Sequence, residues 1–223
     1  MKLWLLVPVK PFETAKSRLS TVLSPAARSE LARNMLVQTL RLGNASNLFS
    51  TIVVVSRSDE VLALAQREHA HALCEEENGL NPAILQGIRC AERAGADGVL
   101  VLPADLPLVT LADLQEIAGL IEEVDVVVAA SADGGTNALC QRLPPCIAPA
   151  FGVDSFARHS AAAEAAHCRL AIVTSPTVAF DLDSPENWRK FSDPSGDQGV
   201  VDGFSQLAHV EGLLDPEPNP FCL

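Results

Sequence analysis

Gly98-Val99-Leu100-Val101-Leu102-Pro103-Ala104-Asp105-Leu106-Pro107 is an apolar run that ends on one carboxylate. Val99 to Leu102 is too short for a helix and apolar at every position, which fits a strand buried on both faces of a parallel sheet. Asp105 then falls just past the carboxyl end of that strand, where ligands bind in open α/β sheets. A carboxylate there can hold a hard cation, and the cation can hold phosphates. Standing alone, Asp105 reads first as a cap for the helix that follows.

Three further stretches change its weight. Pro8 to Leu19 carries Lys10, Lys16 and Arg18 on a loop leaving the first predicted strand, and in so acidic a chain (net charge -12) clustered cations favour an anion site able to neutralise a triphosphate. It is not a Walker loop, and no Gly-x-Gly-x-x-Gly fingerprint occurs. Asp133-Gly134-Gly135-Thr136-Asn137 is followed by Gly152-Val153-Asp154-Ser155. Their glycines let backbone amides approach a ligand, their hydroxyls can donate to anionic oxygens, and Ser155 lies near a helix start. Each alone is an ordinary turn or cap, but together they suggest a small anionic acceptor site. Finally, Asp181 and Asp183 alternate on an extended segment and so point the same way, although Asp183 could cap the next helix. With Asp105 they make three carboxylates at the ends of two strands, read most economically as a magnesium site that bridges phosphates.

The elements that must position these residues alternate in type. Strands are expected over Leu3 to Val9, Thr51 to Ser56, His71 to Cys74, Val99 to Leu102, Val124 to Ala130 and Arg169 to Thr174. Helices are expected over Pro25 to Leu42 (capped by Ser24), Asp59 to Glu68, Pro82 to Ala94 (capped by Asn81), after Thr110, from Ser155 towards His167, and from Pro185 to Phe191. This is the pattern of a doubly wound, mostly parallel sheet with helices on both faces. Two short strands, Ala138 to Gln141 and Cys146 to Ala150, have no helix between them and predict an antiparallel excursion near the sheet edge. Residues 192–223 are acidic and contain prolines, and read as a loosely packed or partly disordered tail.

Composition bounds the function. A 223-residue chain with 48% hydrophobic and 20% charged residues suits one soluble domain, here residues 1–191. Its acidity and lack of a Lys/Arg block argue against nucleic acid, and the early apolar run is too short for a signal or membrane segment, so a cytoplasmic protein is expected. Six cysteines without Cys-x-x-Cys spacing read as reduced thiols, with neither a zinc site nor a disulfide framework. His69, His71, His159, His167 and His209 receive no role and read as surface or packing residues.

In their order along residues 1 to 190, the motifs resemble the phospholactate or phosphoenolpyruvate guanylyltransferases of coenzyme F420 biosynthesis. The motifs are Val7-Pro8-Val9-Lys10-Pro11 with Ala15-Lys16-Ser17-Arg18-Leu19, Gly79-Leu80-Asn81, Pro103-Ala104-Asp105-Leu106-Pro107, Asp133 to Leu139, Phe151-Gly152 with Ser155-Phe156, and Asp181-Leu182-Asp183-Ser184-Pro185. The resemblance implies a single-domain, Rossmann-like nucleotidyltransferase fold that transfers GMP from GTP to a three-carbon phosphorylated acid and releases pyrophosphate. By that likeness Asp105, Asp181 and Asp183 hold Mg2+, and Thr136, Gly152 and Ser155 bind the acceptor. Pro8, Lys10, Lys16, Gly79 and Asn81 lie on the GTP side, and Lys10, Lys16, Arg18 and Asp105 serve the chemistry. Phosphoenolpyruvate is the favoured acceptor, with 2-phospho-L-lactate and 3-phosphoglycerate as the others, and a homodimer is left open. The acceptor's phosphate is already ionised, so no general base is required. Another nucleotidyltransferase, of molybdopterin or sugar-nucleotide type, is the competing reading, but Val-Pro-Val-Lys-Pro replaces the Gly-Gly-x-Ser-x-Arg-Met-Gly-like loop usual there. A non-catalytic nucleotide-binding module is the third.

Overall fold

Short, mostly apolar runs make the strands: β1 (Leu3–Pro8), β2 (Thr51–Ser56), β3 (His71–Cys74), β4 (Gly98–Val101), β5 (Val126–Ala130), β6 (Thr136–Arg142) and β7 (Leu170–Val173). The inner strands are largely buried on both faces, whereas β3 and β7 are partly exposed. They form one sheet in the order β3-β2-β1-β4-β6-β5-β7, in a computed structural model that describes residues 1–192. Neighbours run parallel except at β6, which pairs antiparallel with both β4 and β5. The helices are α1 (Pro25–Ser46), α2 (Asp59–Arg67), α3 (Leu80–Arg93), α4 (Leu111–Leu120), α5 (Ser155–Ala165), the four-residue α6 (Pro176–Ala179) and α7 (Pro185–Ser192).

Alternation along the strands divides the core into two layers. Leu5, Val7 and Leu100 face Leu36 and Leu40 of α1, Leu64 of α2 and Ile117 of α4. Leu6, Val99 and Val101 face Ile84 and Ile88 of α3 and Ala163 of α5. Burying each of the Leu, Ile and Val side chains contributes about 1.5–3 kcal/mol, so the sheet is held from both sides. Gly87 sets how closely α3 lies on β1, because an added Cβ would overlap the Leu6 side chain. A third cluster of Leu19, Leu31, Met35, Leu182 and Phe191 ties the loop after β1 to α1 and to the last described segment. No helix among the described residues is long and apolar enough to cross a membrane.

Local signals set most boundaries. The Ser24 hydroxyl accepts from the Ala27 amide with Pro25 in the first turn, and α1 ends at Asn47 in a left-handed conformation (φ 55°). Thr110 and Asp113 form a reciprocal capping box on α4.

Four expectations are corrected. The antiparallel excursion lies inside the sheet, not near its edge: β6 returns from β5 through a turn closed by Ser131 N–H to Gly135 O, and its far side completes the ladder of β4. Cys146 to Ala150 is not a strand, since Pro145 and Pro149 remove ladder donors. The cap of α3 is Gly79, and Asn81 lies within the helix. Cys146 and Cys168 form a disulfide, because the loops after β6 and α5 bring them together, while Cys74, Cys90 and Cys140 are free thiols. The tail expectation falls, apart from Ser192, outside the described residues.

Candidate active site

The parallel strands β1, β2, β3 and β4 all end on one edge of the sheet, and β6, running the other way, begins there. Thr136 is therefore delivered beside the loop that follows β4 by the reversal of a single strand. Along this edge opens a cleft of about 750 Å³. It is lined by Pro8, Lys10, Lys16 and Arg18 of the loop after β1, by Gly79 at the start of α3, and by Asp105. Thr136, Gly152 and Ser155 line it on the β6 side, with Asp181 and Asp183 between. Asn81 is not among the lining residues.

At the centre is a compact charge cluster. Lys16, itself left-handed (φ 54°), turns a nearly buried side chain inward and places Nζ 3.0 Å from Asp105 Oδ2 and 3.9 Å from Asp183 Oδ1. Arg18 reaches Asp183 from the solvent side at 3.2 Å. The two aspartates are aimed by the residue between them: Leu182 is fully buried in the third cluster, and its N–H donates to Asp105 O at 2.9 Å, so Asp181 and Asp183 project the other way. Asp183 does not cap α7; Ser184 does, accepting from the Asn187 N–H at 3.1 Å. Burial, reinforced by the nearby charge of Asp105, raises the Asp181 carboxyl to about 6. Among the described residues no group of three or more acidic, histidine or cysteine side chains is placed to hold a metal ion by itself. Hard oxygen donors with an ammonium between two of them nevertheless fit magnesium, which is bound by one or two carboxylates together with substrate phosphates and not by dedicated all-protein cages.

The β6 side is built differently. His159, on α5 and wholly buried, accepts the Ala150 N–H on Nε2 at 2.8 Å. Its ring is neutral, with a pKa pushed down to about 4 by burial and then by Arg158, so the proton is on Nδ1. Nδ1 lies 2.9 Å from Thr136 Oγ1, which must accept it, leaving the threonine proton free to donate. Asn81, in the first turn of α3, grips the backbone of Phe151, donating to its carbonyl at 3.0 Å and accepting its N–H at 2.8 Å. The chain can then turn at Gly152 (φ 125°) and enter α5 at Ser155, whose N–H donates to Gly152 O. Asp133 folds its own loop, accepting from the Ser131 hydroxyl and the Gly135 N–H; these bonds lower its pKa.

Sequence reasoning thus names loops that meet at one cleft but passes over three side chains there or beside it. His159 looks like any of the other histidines, yet it braces the cleft. Arg57 and Glu75 line the cleft beyond β2 and β3 as a bidentate pair. Their only sequence signal is position, since each directly follows the last residue of a predicted strand.

A doubly wound sheet with a charged cleft at its strand ends, flanked by a cationic loop and a small hydroxyl-lined recess, defines an enzyme of the nucleotidyltransferase class. A cytidylyltransferase structure from Leptospira borgpetersenii shares the fold, with a TM-score of 0.59 at 12% identity over 98% of this chain and 99% of that one. The chain belongs to the family described as guanylyl transferase CofC like, whose model matches residues 3–191. Among curated relatives, a phosphoenolpyruvate guanylyltransferase of Chloroflexus aggregans is 37% identical over 83% of this chain and 94% of its own length. A 2-phospho-L-lactate guanylyltransferase of Methanocaldococcus sp. FS406-22 is 33% identical over 82% and 78%.

Proposed function

We propose that this chain transfers the GMP unit of GTP to the phosphate of phosphoenolpyruvate, releasing pyrophosphate, as a step of coenzyme F420 biosynthesis. The observation that carries the reading is Lys16 bridging Asp105 and Asp183, in a cleft with a cationic loop on one side and Thr136, Gly152 and Ser155 on the other. An acceptor phosphate oxygen attacks the α-phosphorus of GTP, the bond to the β-phosphate breaks, and its electron pair leaves with pyrophosphate. The nucleophile is already ionised, so no side chain need remove a proton. Lys10, Lys16 and Arg18 gather and offset the triphosphate charge. Thr136 donates its hydroxyl proton to the acceptor, and Gly152 and Ser155 shape the turn around it. Asp105, Asp181 and Asp183 would hold Mg2+, which when bound supplies charge neutralisation at the phosphates.

Phosphoenolpyruvate is preferred over 2-phospho-L-lactate because the relatives named for it are somewhat more similar, at 37% against 33% identity. The test offers GTP and magnesium with phosphoenolpyruvate, 2-phospho-L-lactate or 3-phosphoglycerate separately, and follows pyrophosphate and product mass. The expected product is the mixed diphosphate (phosphoanhydride) of GMP and phosphoenolpyruvate. Turnover with another acceptor alone would refute the assignment of the acid, and no pyrophosphate with any of them would refute the reaction.

A further inference from the structure

Beyond β1, away from Thr136, the cleft continues to a corner that none of the roles above uses. Arg57 follows β2 and Glu75 follows β3, and both side chains line that corner. The Arg57 Nε donates to Glu75 Oε2 at 3.1 Å and Nη2 to Oε1 at 2.8 Å. Nη2 also donates to Asn78 Oδ1 at 2.5 Å, and the Gly79 N–H donates to Glu75 Oε1 at 3.1 Å. Glu75 is nearly buried, with its side chain 9% exposed, whereas that of Arg57 is 41% exposed. Every hydrogen on Nε and Nη2 is therefore engaged, and both on Nη1 remain available. The guanidinium is fixed in plane with one nitrogen presented outward.

This pair is ill suited to a triphosphate. Its charges cancel locally, whereas the phosphate-facing cations Lys10 and Arg18 sit on the loop after β1. A neutral, oriented donor edge suits a heteroaromatic base instead. The neighbouring walls are apolar: Val55 and Ala83 line the cleft, as does Leu80, one of the few large apolar side chains left 40% exposed. Strand order gives the layout. The axis of β2 lies two strands, about 9–10 Å, from that of β4, whose following loop carries Asp105, and β6 lies one strand from β4 on the other side. A nucleotide with its phosphates at Asp105 and its base at Arg57 leaves the β6 recess free for the acceptor.

We propose that Arg57, held in plane by Glu75 and Asn78, selects the nucleobase by donating to the O6 and N7 acceptors of guanine. Adenine and cytosine present an amino donor where guanine has O6 and uracil has O4, and so oppose the arginine hydrogens. The inference rests on the guanylyl reading of the reaction, but its test does not need turnover.

Equilibrium binding of GDP, IDP, 7-deaza-GDP and ADP with magnesium is measured on the whole chain and on Arg57→Gln and Arg57→Lys, each checked for folding by circular dichroism. IDP, which keeps O6 and N7 but lacks the 2-amino group, should bind as tightly as GDP. ADP should bind about 5- to 100-fold more weakly, with 7-deaza-GDP between. Arg57→Gln should bring GDP to the level of ADP without weakening ADP, and Arg57→Lys should not restore the preference. A GDP-to-ADP ratio unchanged in Arg57→Gln would overturn the inference, as would IDP as weak as ADP. Selective binding without pyrophosphate release in the acceptor assay would sink the reaction and leave Arg57 standing; normal GTP turnover with an indifferent Arg57 would do the reverse.

Discussion

The two ends of the cleft are made in opposite ways. On the β6 side the polar groups are buried and already bonded: His159 holds Ala150 and Thr136, and Asn81 holds both backbone atoms of Phe151. On the β1 side Lys10 is exposed, Arg18 is 73% exposed, and three-ten turns replace regular structure. A three-carbon acid offers few atoms to grip, and telling it from a close analogue depends on donors that cannot shift. A triphosphate offers many charges, so long side chains can close on it, with the ordering cost offset by strong charge-assisted bonds. In the proposed reaction, the buried and already bonded groups of the β6 side face the smaller ligand.

The contrast is best broken at the point where the two ends meet. Asp105→Asn keeps the shape but removes the charge that faces Lys16, and turnover should fall by about 10²- to 10³-fold with the fold retained. Pyrophosphate release at saturating substrates checks it, and a rate within a few-fold of the parent would remove Asp105 from the centre. The rigid end can be probed through pH. The His159 pKa is about 4 when folded against 6.5 for a free side chain, so between those values the unfolded chain binds the extra proton. Its contribution is complete above pH 6.5, declines as the pH falls towards 4 and is constant below, a loss on the order of 3 kcal/mol. Urea unfolding of the parent and of His159→Gln should therefore show a stability gap that narrows across that window. A gap independent of pH would mean that the ring is not held neutral. The smallest effect on turnover is expected at Thr136→Val, which removes the donor to the acceptor and should raise the acceptor KM about ten-fold while leaving the GTP KM alone; it also takes the hydrogen-bond acceptor from the His159 Nδ1–H, so a stability loss of about 1–3 kcal/mol should accompany it. If both constants move together, the two ends are not separable.

Much of this architecture is legible in the sequence. β2 coincides with its predicted span, Ser24 and Thr110 cap as expected, and every proposed site residue except Asn81 lines one cleft. These features follow from local chemistry or from the rule that parallel strands carry sites at their carboxyl ends. What stays hidden depends on partners far along the chain. Asn81 has the residue type of a cap, and only its meeting with Phe151, 70 positions away, shows a clamp. His159 sits between Arg158 and Ser160 as one polar residue of several until β6 brings Thr136 against it. Alternation in the sequence implies neighbours but does not say between which strands a returning strand inserts.

That insertion also orders events in time. On emergence from the ribosome, β1 to β4 can form a parallel block under α1 to α3, but β4 would show a bare edge of unpaired amides and carbonyls. Nothing made before residue 136 covers it, since β5 pairs with β6 and β7 and never with β4. The same seven residues that place Thr136 in the cleft are thus the stitch that closes the sheet. Shortening β6 by a pair of residues would cost a site residue and leave the nascent chain open to sticking edge to edge.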